Sequence, residues 1–240
     1  MMRKRLAAIA LCASMAACSS PLVPRVPLLK ATRFVAFGDS LTEGVTVSSP
    51  PSLLGLSAGL PVSYPFQLDD RLRSRYPDQN PVVFNAGRAG ELATDALPRL
   101  RTVLNEADAD VLLLLHGAND LNGGIGRMPA TLDAIRGMIR EARGRDMSVM
   151  LATLPPQCSG GTPPRGGATP FLASFNQMLS SMGVQEGAKI VDLFTKVNIS
   201  LIGVDCLHPQ PGGYVRMADV FFDDVIAAFE RRRTAAIAPR

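Results

Sequence analysis

Five short apolar runs, each followed by residues at helical spacing, restrict this chain to the α/β class. The runs are Phe34–Phe37, Val82–Asn85, Val111–Leu115, Ser148–Leu154 and Ile190–Phe194. Val111–Leu115 is apolar at every position, the pattern of a parallel strand covered on both faces. Between the runs lie a helical stretch around Gln67–Arg75 and three stripes: Ala93, Leu97, Leu100 and Leu104; Leu132, Ile135, Ile139 and Ala142; and Phe171, Phe175, Met178 and Met182. Tyr214, Met217, Phe221, Val225 and Phe229 mark a closing helix. Stripes of this period read as core packing rather than cofactor contacts. Pro98 leaves the start of the second helix open. The pattern predicts a five-stranded parallel sheet between two helical layers, with right-handed crossovers and a flavodoxin-like strand order, in one domain over residues 32–230. About 200 residues are enough for a full core.

The first residues belong to targeting rather than to the fold. Arg3, Lys4 and Arg5 precede the uncharged Leu6–Ala17, which fits an export signal over residues 1–17 and is shorter than the ~20 residues of a membrane span. Met15-Ala16-Ala17-Cys18 resembles a bacterial lipoprotein box, in which Cys18 is lipidated, with Met15 where Leu is usual. The competing reading is cleavage after a small residue and release as a soluble protein. Acyl chains on Cys18 would hold the protein on a membrane, and by analogy with lipoprotein sorting Ser19 points to the outer membrane, facing the periplasm. Pro21, Pro24 and Pro27 make residues 18–31 an extended tether of roughly 40 Å reach. The tail at 231–240 is basic, and Arg231-Arg232-Arg233 is expected to end the last helix, where cations suit the dipole. The whole chain carries a net charge of +4, but without the three basic residues of the signal it is close to neutral. No basic run interleaved with aromatics suggests a nucleic-acid partner.

Chemistry-bearing residues stand where the strands end. Gly38-Asp39-Ser40-Leu41 follows the first strand, Asn85-Ala86-Gly87-Arg88-Ala89-Gly90 the second and Gly117-Ala118-Asn119-Asp120 the third, while Asp205-Cys206-Leu207-His208-Pro209 precedes the last helix. Ser40 read alone is equally a helix N-cap. The four blocks in this order resemble the GDSL, or SGNH, hydrolase superfamily of esterases, lipases, thioesterases and carbohydrate deacetylases. The resemblance implies a three-layer α/β/α sandwich, Ser40 as nucleophile, Gly90 and Asn119 as oxyanion-hole donors, and Asp205 and His208 completing a triad.

The residue types make chemical sense independently. A serine hydroxyl needs an imidazole to take its proton, and the imidazole needs a carboxylate to fix its tautomer. Asp205 and His208, three apart, can meet across one turn, and Pro209 restricts the backbone of His208 and helps keep it out of the following helix. The N–H groups of Ser40 and Gly90 and the Asn119 amide can supply oxyanion donors. Of the two histidines, His116 has no carboxylate at triad-like spacing and reads as a satisfied structural residue near the site. Asp39 and Asp120 are expected to brace loops through backbone hydrogen bonds. Arg88 is either an anion contact or merely solvated.

Other classes fit less well. The second glycine of a G-x-S-x-G elbow is missing, no Cys-x-x-Cys or His-Glu-x-x-His occurs, and Gly123-Gly124-Ile125-Gly126 lacks the lysine of a phosphate loop. The expectation is a serine esterase of the cell envelope, acting on acyl (thio)esters through an acyl-enzyme, with neither metal nor nucleotide as cofactor. Val45–Phe66, uncharged and containing Leu53, Leu54, Leu56 and Leu60, is expected to border the site, as is Cys158–Pro170. The alternatives are an envelope glycan O-deacetylase and a non-catalytic binding lipoprotein on the same fold. Cys158 and Cys206 would be the cysteines left after Cys12 is cleaved off and Cys18 lipidated, and they are either a disulfide that ties down the Asp205–His208 loop or two buried thiols.

Overall fold

The computed structural model of the chain describes residues 25–47, 61–162 and 165–234. The signal, Cys18 and the leucines of the uncharged segment lie outside them. Strands β2 (Arg33–Gly38), β3 (Val82–Gly87), β4 (Val111–Leu115), β5 (Ser148–Ala152) and β6 (Lys189–Val191) form one sheet in the order β3-β2-β4-β5-β6, all parallel. This is the expected flavodoxin-like order. β4 is buried at all five positions, because helices cover both its faces. On one side α2 (Tyr64–Arg75) packs against α8 (Pro211–Phe229), with Tyr64 stacked on Phe221 at 4.6 Å between ring centroids. On the other side α3 (Leu97–Glu106), α5 (Met128–Arg143) and α6 (Leu172–Gln185) pack in series. Short helices α1 (Ser40–Glu43), α4 (Ala118–Asn122) and α7 (Leu193–Lys196) follow β2, β4 and β6.

Three expectations need correction. The tether and the basic tail meet as a two-stranded antiparallel ribbon, β1 (Arg25–Leu29) with β7 (Glu230–Thr234), in register from Arg25–Thr234 to Leu29–Glu230. A two-stranded ribbon accommodates Pro27, whose missing N–H forfeits only one side of a ladder. Arg231–Arg233 therefore lie in β7, and α8 stops at Phe229, where Glu230 turns extended and its carboxylate takes Arg75 at 2.8 Å and the Tyr76 hydroxyl at 2.5 Å. The fifth strand of the sheet ends early, because the Asp192 side chain accepts the Thr195 N–H and starts α7. Met178 leaves the apolar stripe of α6 and is 41% exposed; Leu172, Phe175, Leu179 and Met182 make the buried face.

What positions the site is the tight exit from β2. A Cβ on Gly38 would lie 1.9 Å from the Leu115 carbonyl oxygen and 2.3 Å from Thr42 Oγ1, so only glycine lets β2 turn into α1 against the end of β4. Gly38→Ala is expected to destabilise the domain by about 1–3 kcal/mol or more, as overpacking of a closed interior does. Urea denaturation midpoints of the two proteins measure it, and an unchanged midpoint would contradict the account.

Candidate active site

Asp39 ends the strand and caps the helix. Its carboxylate accepts the Leu41 N–H at 3.0 Å and its carbonyl those of Thr42 and Glu43. Ser40 is then the first helical residue, and its hydroxyl is not consumed by capping. The N-cap reading of Ser40 falls away for that reason. The Ser40 Oγ lies 2.9 Å from His208 Nε2, and His208 Nδ1 lies 2.6 Å from Asp205 Oδ2. All three residues are buried, between 2% and 6% exposed. With the Nδ1–H donated to Asp205, Nε2 is left as an acceptor for the serine hydroxyl. Asp205 Oδ1 also accepts the N–H groups of Leu207 at 3.2 Å and His208 at 3.0 Å. Burial alone would raise the Asp205 carboxyl, but the hydrogen bonds from the His208 ring and these two N–H groups hold it below its ordinary value.

The loop bearing Asp205 and His208 is fastened from two sides. Cys158 and Cys206 form a disulfide with Cα atoms 4.7 Å apart, which removes the alternative of two free thiols. Main-chain bonds run alongside it: Cys158 N–H to Cys206 O at 3.3 Å, Thr162 N–H to Val204 O at 2.8 Å and Arg165 N–H to Asp205 O at 3.2 Å. The segment after β5 thus borders the site as expected. On the other side Gly203 N–H donates to His208 O at 2.8 Å, and α8 starts only at Pro211, so His208 stays outside the helix.

The two expected oxyanion donors come from other strand ends. Gly90 has φ +77°, a conformation that glycine takes without strain, and its N–H has no hydrogen-bond partner among the described residues. Asn119, in α4 after β4, donates one amide hydrogen to the Glu91 carbonyl at 2.9 Å. Asp120 braces the neighbouring loop as expected, accepting from Ala93 N–H at 2.7 Å and from Thr94 N–H and Oγ1 at 3.2 and 3.0 Å.

Behind these donors sits a cluster that the sequence reading missed. Glu91 receives Arg99 on both carboxylate oxygens, one at 2.6 Å, and His116 Nε2 at 3.1 Å. Gly117 N–H donates to His116 Nδ1 at 3.0 Å, so the proton of a neutral ring resides on Nε2 and points at Glu91. Both ring nitrogens of His116 are satisfied, and it does have a carboxylate: Glu91 is 25 residues away in sequence and no local spacing reveals it. The one signal available was an acidic residue directly after Gly90 in the second block. Arg88 is 61% exposed at its side chain and lies 3.6 Å from Glu91, a surface pairing rather than an open anion site.

Residues 36–216 match the GDSL-like lipase/acylhydrolase family. The chain belongs to that family. It is accordingly an ester-hydrolysing serine hydrolase with small-molecule ester substrates. Among curated proteins compared by sequence, none matches it. The lipase/acylhydrolase from Enterococcus faecalis superposes with a TM-score of 0.65 at 24% identity, over 85% of this chain and 99% of that one. An acetylxylan esterase from Geobacillus stearothermophilus superposes with a TM-score of 0.65 at 17% identity, over 81% of this chain and 94% of that one. At these identities the two likenesses show the fold shared across the family.

Two measurable consequences follow from this geometry. Burial alone would raise the Glu91 carboxyl, but hydrogen bonds from His116 and Arg99 and the charge of Arg99 bring it down to about 2. A carboxyl depressed in the folded state stabilises above its unfolded pKa and loses that contribution as pH falls through the folded value. The stability gap between the native protein and Glu91→Gln is therefore full above about pH 4.5 and closes toward about pH 2, which denaturation midpoints across that range test. Reducing the disulfide should lower esterase activity at a reductant dose that leaves the far-ultraviolet circular dichroism intact, because the bridge anchors the His208 loop rather than the sheet.

Proposed function

We propose that Ser40 is the nucleophile of an acyl-chain esterase or thioesterase, with His208 as general base and Asp205 as its orienting partner. The observation that carries this is the continuous hydrogen-bonded line from Asp205 Oδ2 through the His208 ring to Ser40 Oγ. Ser40 Oγ attacks the substrate carbonyl as His208 Nε2 takes its proton. The oxyanion meets the N–H groups of Ser40 and Gly90 and the second amide hydrogen of Asn119, and His208 returns the proton to the departing alcohol or thiol. Water then attacks the acyl-enzyme by the same route. The choice of an acyl chain over a glycan is supported by the aromatics: the chain has no Trp, and Tyr64, Tyr76 and Tyr214 are all buried at 2% exposure or less, leaving no Tyr or Trp platform for a sugar.

An envelope location, with a lipid on Cys18, is part of the same proposal. The disulfide agrees with an oxidising compartment. With β1 starting at Arg25, the six residues from 19 to 24 would set the domain at most about 20 Å from a lipidated Cys18, about half the tether expected from the prolines. Fractionation checks the anchor: Cys18→Ser should move the protein from membrane to soluble fraction.

Labelling with a fluorophosphonate, followed by rates on esters of increasing chain length, tests the chemistry and the substrate class. Ser40→Ala is expected to abolish labelling and nearly all turnover while the fold persists, with His208→Ala nearly as damaging and His116→Ala much less so. Full activity in Ser40→Ala would end the reading. Asn119→Ala should lower kcat by about 10²–10³ with little change in KM, since that bond strengthens as charge develops. A preference for acetylated sugars over longer acyl esters would favour the deacetylase alternative.

A further inference from the structure

We propose that Glu91, clamped by Arg99 and His116, is a positioning residue for the oxyanion hole that acts through the side chain of Asn119. The inference rests on the assignment of Ser40 and Asn119 above and adds a residue to it. Asn119 has two amide hydrogens, and the Glu91 carbonyl takes one of them at 2.9 Å. That bond fixes which end of the amide is nitrogen and how the group is rotated, because a carbonyl accepts only from the NH₂ side. The second hydrogen is thereby directed by Glu91.

A main-chain carbonyl can orient another group only if it is itself held. Glu91 lies in neither a strand nor a helix, and its main chain is tied to its neighbours by one long turn bond, from its N–H to Arg88 O at 3.3 Å. Its side chain supplies the firmer hold. Arg99 grips both carboxylate oxygens and at the same time donates to Ala86 O at 2.7 Å and Gly38 O at 3.1 Å, with its guanidinium 4.0 Å above the Phe37 ring. Ala86 is near the end of β3, and Gly38 is two residues before Ser40. His116, just after β4, joins Glu91 through Nε2 and receives the N–H of Gly117, the N-cap residue of the helix bearing Asn119.

One buried carboxylate therefore ties together the ends of β2, β3 and β4, which carry Ser40, Gly90 and Asn119. Without it the Glu91 carbonyl, and through it the Asn119 amide, would lose the hold that sets its direction. Displacement of an oxyanion donor by about 1 Å is felt in the transition state far more than in substrate binding and costs on the order of 10²-fold.

A double-mutant cycle in kcat tests the proposal, with active sites counted by fluorophosphonate titration so that misfolded protein does not enter. Glu91→Gln keeps the carbonyl and the shape but loosens the clamp, and is expected to lower kcat by roughly tenfold to a hundredfold with KM within about twofold. In an Asn119→Ala background the same substitution should lower kcat by less than about threefold, because the group it positions is gone. Equal losses in both backgrounds, or a loss confined to KM, would overturn the proposal. If the lone Arg99 charge prevents Glu91→Gln from folding, Glu91→Gln/Arg99→Met removes both charges and carries the same cycle with the same two outcomes. A fully active Asn119→Ala would refute the active-site assignment itself. A large loss in Asn119→Ala combined with additive Glu91→Gln effects would refute only the role given to Glu91.

Discussion

A parallel sheet delivers the carboxyl end of every strand to the same edge, and everything that can do chemistry in this protein depends on that. β2, β3 and β4 are neighbours in register, Phe34 beside both Val83 and Val111, so Ser40, Gly90 and Asn119 leave the sheet side by side. The order β3-β2-β4 puts the strand before Ser40 in the middle. Helices close both faces, and the loops at this edge are where backbone groups remain free to meet a ligand. The absence of a Cβ at Gly38 is what allows the central strand to turn sharply enough for the helix N–H groups to face the same way.

The edge is also where charge is buried, which a core avoids. Asp39, Glu43 and Asp205 are at most 2% exposed, and the Glu91 side chain is only 8% exposed. Three of these carboxylates hold loops by accepting backbone N–H groups: Asp39 from Leu41, Glu43 from Ala89 at 2.5 Å, and Asp205 from Leu207 and His208. Asp39 is the incompletely satisfied member: its Oδ2 makes no hydrogen bond among the described residues and lies 3.7 Å from His116 Nδ1, and its carboxyl is pushed up by burial. A buried polar atom without a partner costs about 1–3 kcal/mol. The rest of the sheet supplies the stability that lets the site keep it, a distribution usual where geometry matters more than local stability.

Much of this was legible along the chain because the information is local. An apolar run of four or five residues becomes a strand wherever helices can cover it, and the Gly-Asp-Ser-Leu and Asp-Cys-Leu-His-Pro blocks sit at the chain positions where strand and helix periods break. The turn that joins Asp205 to His208 spans three residues, and its hydrogen bonds are those that such a spacing permits. Alternatives that depended on local competition stayed open, and the fold resolved them. Whether Ser40 or Asp39 caps α1 is decided by which side chain reaches the Leu41 N–H, and Asp39 does.

What the sequence determined by itself was the α/β class, which follows from period, and, through the resemblance of four short blocks to one family, the residues that meet at Ser40. The strand order was an expectation that only strand pairing could decide. What only the tertiary structure decided were contacts between residues distant in the chain: β1 with β7, Cys158 with Cys206, and Glu91 with His116 and Arg99. The reason is physical. Local patterns record which face of an element must be buried, whereas pairings across tens or hundreds of residues depend on where the closed sheet brings its loops, and no residue carries that position in its own neighbourhood.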